Sequence, residues 1–198
     1  MATEPTPRSN RVTPFGEIEA TPFRGSLMGN RGRLGPGGWS SSAWIACSLD
    51  YPRPPGWQPR YTRLFFHDEA VGLAAGFRPC AQCRRTAYAR FKAAFQASHY
   101  MTDGVRAARI DREIREGWGG GQVRLESLPD GAFVRVVDNA VPHLKWRDYL
   151  HPWDHGGYGT PTATGQVEWA LPITPASVIR ALGAGYVPAV RFREPSPS

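Results

Sequence analysis

Glycine and proline punctuate this sequence along most of its length: 22 glycines and 19 prolines fall within 198 residues. Glycine opens the backbone to turns, and proline fixes φ and removes a donor, so neither extends a helix or a central strand. Many turns and irregular connections are therefore expected, and long uninterrupted helices are not. The sequence is 41% hydrophobic and 12% aromatic, enough for a sizeable core in one domain. No internal repeat is visible, and the expected class is α+β.

Residues 1–10 and 194–198 are rich in proline, serine and threonine and read as disordered tails around a single domain, 11–193. Within that domain, 44–100 reads as a core of strands and short helices, and 101–193 as a helix, a β-hairpin and a C-terminal helix. EIEATPFRGSLMG holds one or two short strands. SAWIACSLDY (42–51), an apolar run bounded by glycine and proline, reads as a buried strand, and YTRLFF (61–66) as a second. A short helix then begins at His67-Asp68-Glu69. Asp68 suits its N-cap, Glu69 its positive end, and Gly76 its stop.

RRTAYARFKAAFQASHY is an amphipathic helix with Tyr88, Phe91 and Phe95 on one face. DGVRAARIDREIREGW continues as a more charged helix. QVRLESLPDGAFVRVVDNA reads as a hairpin turning at Pro129-Asp130-Gly131. HLKWRDYLHPWDHGGYGTP reads as aromatic and irregular. TPASVIRALGAGY is a late helix with Thr174 as N-cap and Pro175 at its first position.

FRPCAQCRR (77–85) carries two of the three cysteines. Three cysteines cannot all pair, and the chain is no small disulfide scaffold. A CxxC at a helix start is a chelating geometry: two thiolates converge, and the N–H groups of the first turn stabilise their charge. A redox pair is an alternative, but it wants a βαβ context that CAQC lacks. Two inert, buried thiols are the third reading. Two cysteines alone do not close a tetrahedral site.

LFFHDEAVGLAAGFRPCAQCRR (64–85) has an aromatic pair, a short helix with Glu-Ala, then Ala-Gly-Phe-Arg-Pro-Cys-x-x-Cys. It resembles the second half of the metal-binding domain of the Ada DNA-repair proteins, and with the strand around Cys47 the resemblance covers about residues 44–85. It implies a small core of strands and short helices around a zinc held by four cysteines, the upstream pair being Cys-x-x-x-Cys. Cys47, in WIACSLDYPRP, stands at the matching place; four residues on is Tyr51. Three ligands thus carry over: Cys47, Cys80 and Cys83. Asp50, His67, His143, His151 and His155 are candidates for the fourth, with histidine favoured because a borderline-soft ion accepts imidazole readily. In that family the first upstream cysteine also accepts a methyl group from damaged DNA phosphates, a role that would fall to Cys47. Zinc-bound thiolate is nucleophilic at neutral pH; a purely structural zinc is the alternative.

The net charge of +7 favours an anionic partner, nucleic acid first and DNA ahead of RNA. Arg24, Arg31 and Arg33 lie in RGSLMGNRGRL, which reads either as a phosphate-binding loop or as a tight basic turn. Arg84, Arg85, Arg90 and Lys92 form a basic face on the helix that follows the CxxC. HPWDHGGY, with His151 and His155, suggests a catalytic or metal-binding cleft, or an aromatic minicore with wet histidine tips. The polar N-terminus lacks an apolar signal region, and no apolar run is long enough to span a bilayer, so the expected location is the cytoplasm, without a membrane partner. The leading expectation is a zinc protein that binds nucleic acid, in repair. The alternatives are a metal- or His-dependent nuclease and a structural zinc scaffold for protein partners.

Overall fold

The computed structural model describes residues 9–30, 34–35, 38–39, 43–52, 55, 63–100, 104–137 and 139–192. The elements are short, as the glycine and proline spacing requires. The first half contains β1 (Ser9–Val12), β2 (Ile18–Thr21), β3 (Leu27–Asn30), β4 (Leu34–Gly35), β5 (Gly38–Trp39), β6 (Ile45–Ser48), β7 (Leu64–Phe66), α1 (Glu69–Ala74), β8 (Arg78–Pro79) and α2 (Arg85–Ser98). The second half contains α3 (Ala107–Glu116), β9 (Val123–Arg124), β10 (Phe133–Val136), β11 (Pro142–Trp146), β12 (Tyr149–Asp154), β13 (Gly157–Tyr158), β14 (Thr162–Ala163), β15 (Trp169–Pro172) and α4 (Ala176–Gly183). The class is α+β.

The first sheet runs β2-β1-β7-β3-β6-β8, with β1/β7 and β6/β8 parallel and its other pairs antiparallel. The second runs β13-β12-β11-β10-β15-β9, with β14 beside β12; β4 and β5 form a two-stranded pair. In β7, Leu64 and Phe66 enter one core cluster with Val12, Ala46 and Phe77, while Phe65 between them points to the opposite face. The second sheet serves two cores. Phe133, Leu144 and Trp153 pack toward the first sheet, and Val134, Leu150 and Ala170 toward Phe91 and Phe95 of α2, Ile110 and Ile114 of α3, and Val178 of α4. Truncating a fully buried ring such as Phe66 or Phe91 to alanine costs about 3–5 kcal/mol in such cores.

Helix α1 lies between the two clusters and every one of its residues is buried. Its Asp68 cap accepts from the Val71 N–H at 3.0 Å, and Gly76, at φ +81°, turns the chain out of it. Glycine is also required at Gly29, where a Cβ would stand 2.5 Å from the Phe66 ring. That close approach lets Phe66 and Phe77 meet edge to face at 4.5 Å.

Several expectations need correction. Ser9 and Asn10 belong to β1 rather than to a tail. EIEATPFRGSLMG does hold two short strands, β2 and β3, and β3 takes 27–30 out of the loop or turn read over 24–34. Residues 122–140 do not form a hairpin, because β15 lies between β9 and β10 in the sheet. Asp130 instead braces the next turn, accepting from the Arg147 N–H at 2.8 Å and from Lys145 Nζ at 3.1 Å. The hairpin is β11–β12, so the stretch from His143 to Asp154 is two strands joined by a turn at Arg147-Asp148. Thr174 does not cap α4; its Oγ1 accepts from the Phe133 N–H at 2.8 Å, tying the helix entry to β10. Residues 1–8 and 193–198, Arg31 and Arg33, and most of 53–62 lie outside the described residues.

Candidate metal centre

Cys47 sits in β6 with its side chain on the Phe65 face of the sheet, directly across from Met28. Cys80 and Cys83 follow β8, which pairs in parallel with β6 and sets Ala46 beside Pro79. The Cys80 N–H donates to the Ala46 carbonyl at 3.0 Å, so the CxxC turn begins at the end of the strand pair that carries Cys47. The three sulfurs all lie within 4.8 Å of one another. Tetrahedral zinc–thiolate bonds of about 2.3 Å place sulfurs about 3.8 Å apart, so the cluster is sized for one ion with little movement.

The CxxC itself is a turn, and α2 starts only at Arg85. The donors expected from the first turn of that helix come instead from the CxxC turn and from β6. The N–H groups of Gln82 and Cys83 reach Cys80 Sγ at 3.4 and 3.5 Å, and the Ser48 N–H reaches Cys83 Sγ at 3.3 Å. Cys47 donates to Cys80, which pushes the Cys80 thiol down to about 4; the same bond, with burial added, holds Cys47 far above the usual thiol range. Burial also pushes Cys83 up. Without metal, the trio thus carries its first negative charge on Cys80. Cys47 is 5% exposed and the other two are half-buried.

A buried ion pair holds the turn from behind. Arg78 Nε and Nη2 donate to Asp111 Oδ1 and Oδ2 at 2.6 and 3.1 Å, and both side chains are 5% exposed. Arg78 immediately precedes Pro79 and Cys80, so α3 fixes the strand end from which the turn springs.

Among the described residues, no histidine or carboxylate joins the three sulfurs. His67 is engaged at both ring nitrogens: Arg11 Nη2 donates to Nδ1 at 2.9 Å, and Nε2 donates to the Arg191 carbonyl at 2.8 Å. His143 bonds its own strand through Nδ1 and the Val141 carbonyl at 2.9 Å. His151 packs against Phe192, with ring centroids 4.7 Å apart. His155 Nε2 meets Glu19 Oε2 at 2.6 Å. Burial lowers the pKa of His67, His143 and His151, which keeps them neutral. Asp50 is exposed, its N–H on Ser48 Oγ at 3.3 Å. These histidines and carboxylates form no ligand cluster of their own.

The basic face on α2 is smaller than its sequence suggests. Arg84 is spent on Glu69, 2.8 Å away, beside the Tyr186 hydroxyl that also donates to Glu69 at 2.6 Å. Arg85 and Arg90 are exposed and Lys92 is half-buried. Arg24 is exposed, with its guanidinium 5.5 Å from the Phe65 ring centre. Sequence reasoning missed Arg11 and Arg191. Arg11 directly follows the stretch read as a tail, and nothing local marks it as buried.

The fold and the cluster define an α+β protein whose Cys47, Cys80 and Cys83 lie close enough to bind a metal ion. Among the described residues no helix is long and apolar enough to cross a membrane. Compared with protein-family models, with curated proteins and with solved structures, the chain matches none.

Proposed function

We propose that this chain is a zinc-thiolate protein that binds nucleic acid and acts in DNA repair, as its resemblance to the Ada metal-binding domain implies. The observation that carries the reading is the convergence of three sulfurs with no fourth protein ligand beside them among the described residues. Cys47, Cys80 and Cys83 would hold the ion, and the backbone N–H groups of Ser48, Gln82 and Cys83 would stabilise the thiolates. Zinc held by three protein ligands is a Lewis acid with one position left for a substrate atom or solvent.

Cys47, the residue matching the family's methyl acceptor, is the least accessible of the three sulfurs. Cys80 and Cys83 are half-buried, so either is better placed than Cys47 to meet a substrate atom. Cys47 is assigned the holding role.

The test is a zinc and DNA assay on one preparation. The full chain should bring about one zinc through gentle purification and retain DNA with an affinity that falls linearly with salt on logarithmic axes. Zinc-free protein with intact fold would refute the metal assignment, and salt-insensitive or absent DNA binding the nucleic-acid assignment. Divalent-metal-dependent plasmid cleavage lost in His151→Ala would instead favour a nuclease.

A further inference from the structure

Arg11 lies inside β1 and is 3% exposed. A buried guanidinium ordinarily meets a carboxylate, because an unpaired charge away from water is costly. Among the described residues, Arg11 has no carboxylate within 4 Å. It donates to two neutral acceptors, the His155 carbonyl and His67 Nδ1, and its buried Nε has no partner. Asp68 and Asp154 act on it only from a distance. Both are committed: Asp68 to the Val71 N–H, the Tyr158 hydroxyl and the Arg191 N–H, Asp154 to the Gly156 N–H.

Arg11 lines a cavity of about 480 Å³ together with Arg24, Arg191, His67 and His155. Neither Arg24 nor Arg191 has a carboxylate within 4 Å among the described residues, so three guanidinium groups border one space without a direct counterion. His67 ties two of them together, accepting from the Arg11 side chain and donating to the Arg191 backbone. The buried Nδ1 of His155 also has no partner. Its other nitrogen holds Glu19, the remaining acidic group near the site. Phe23 and Phe192, 52% and 37% exposed, add apolar surface to the cavity lining.

We propose that this cavity binds the phosphate of a nucleotide, free or at a position in a strand. Guanidinium forks match phosphate oxygens, the exposed Phe23 ring offers a face for a base or sugar, and the volume is that of a small-ligand site. The identity of the carrier rests on the nucleic-acid reading above; the cavity and its charge stand without the zinc assignment.

Calorimetric titration of the full chain with orthophosphate, a 5′-mononucleotide and a short single-stranded DNA tests this. The wild type should bind the mononucleotide more tightly than orthophosphate. Arg24→Ala and Arg191→Ala should each weaken it about tenfold, and the double variant about a hundredfold. Both positions are exposed and the bonds at Arg191 that build the fold are made by its backbone, so these variants should keep the wild-type circular dichroism spectrum and zinc content. Phe23→Ala should weaken the mononucleotide and leave orthophosphate unchanged. A wild type that binds neither small ligand, or variants that bind as wild type does, would overturn the proposal. DNA and mononucleotide binding that both survive the double variant would remove the cavity and leave the nucleic-acid reading standing. Arginine-dependent mononucleotide binding without DNA binding would do the reverse.

Discussion

Arg11 and Cys47 stand on one transverse row of the first sheet. Arg11 is paired with Phe65, Phe65 with Met28, and Met28 with Cys47. Residues paired in this way project from the same face, so the row carries an arginine at one end and the thiolate cluster at the other. Three strand spacings of about 4.8 Å separate them, roughly 14 Å in all. Arg24 lies over Phe65 between the two ends. The sulfur site and the basic cavity therefore lie at the two ends of one buried row on one face of the sheet, and the predictions below test them and the structure around them.

Metal and stability should be lost together. Cys80→Ser or Cys83→Ser should abolish stoichiometric zinc and lower the unfolding free energy by more than about 3 kcal/mol, because metal-binding energy is folding energy where a site does not persist in the unfolded chain. Elemental analysis with urea unfolding measures both. Serine variants as stable as the wild type, with or without chelator, would leave the cluster without a structural ion.

Thiol reactivity in the metal-free protein should be uneven. The bond from Cys47 places the first thiolate on Cys80, so iodoacetamide at about pH 6 should label Cys80 first and spare Cys47. Cys47→Ala, which removes that donor, should move the onset of labelling to higher pH. Peptide mapping by mass spectrometry decides; equal labelling of all three sulfurs would count against the hydrogen-bonded trio.

Asp111→Ala should be among the most damaging substitutions away from the cysteines. It strands Arg78 in a buried position, at a cost of about 3–5 kcal/mol, and releases the strand end that precedes Cys80. Zinc affinity should fall with it. Asp111→Asn, which keeps one acceptor oxygen for Arg78, should cost less. Equal unfolding midpoints for wild type and Asp111→Ala would show the pair to be dispensable.

Acid should destabilise the fold below about pH 6.5. His67 is held neutral by burial and by the charge of Arg11 beside it, with Asp68 and the Arg191 carbonyl favouring a proton. Its folded pKa lies below the ordinary value, so this contribution is complete above about 6.5 and is lost as pH falls toward the folded pKa. His143 and His151 act with the same sign. Asp68, pushed up by burial, acts with the opposite sign. Urea midpoints at about pH 7.5 and 5.5 should therefore separate for the wild type, and less so for His67→Gln. An equal separation in the variant would assign the loss elsewhere.

What was legible in the sequence was local. Phe91 and Phe95 recur at helical spacing and are the buried face of α2; Asp68 caps α1 and Gly76 ends it. The sulfur cluster was legible too, because Cys47 and the CxxC lie in segments whose strand and turn character is marked by their neighbours. What was not legible depends on partners far along the chain. Glu69 carries only a local dipole signal, yet it takes Arg84 out of the basic face. Alternation in 143–154 was masked by proline and histidine at strand positions, and β15, which separates β9 from β10, is distant from both in sequence. Arg11 and Arg191 meet around His67 through nothing that either segment displays alone.

The segment from Tyr186 to Arg191 is latched onto the buried carboxylates of α1. The Tyr186 hydroxyl and the Ala189 N–H hold Glu69, the Arg191 N–H holds Asp68, and the Glu69 N–H returns a bond to the Ala189 carbonyl at 3.2 Å. A growing chain that has not yet released these residues from the ribosome leaves both carboxylates without those donors and the cavity around Arg11 without Arg191. Even if Cys47, Cys80 and Cys83 meet early in synthesis, the sheet face they share with Arg11 matures late, and a prematurely terminated product would hold metal, at most, beside an unfinished wall.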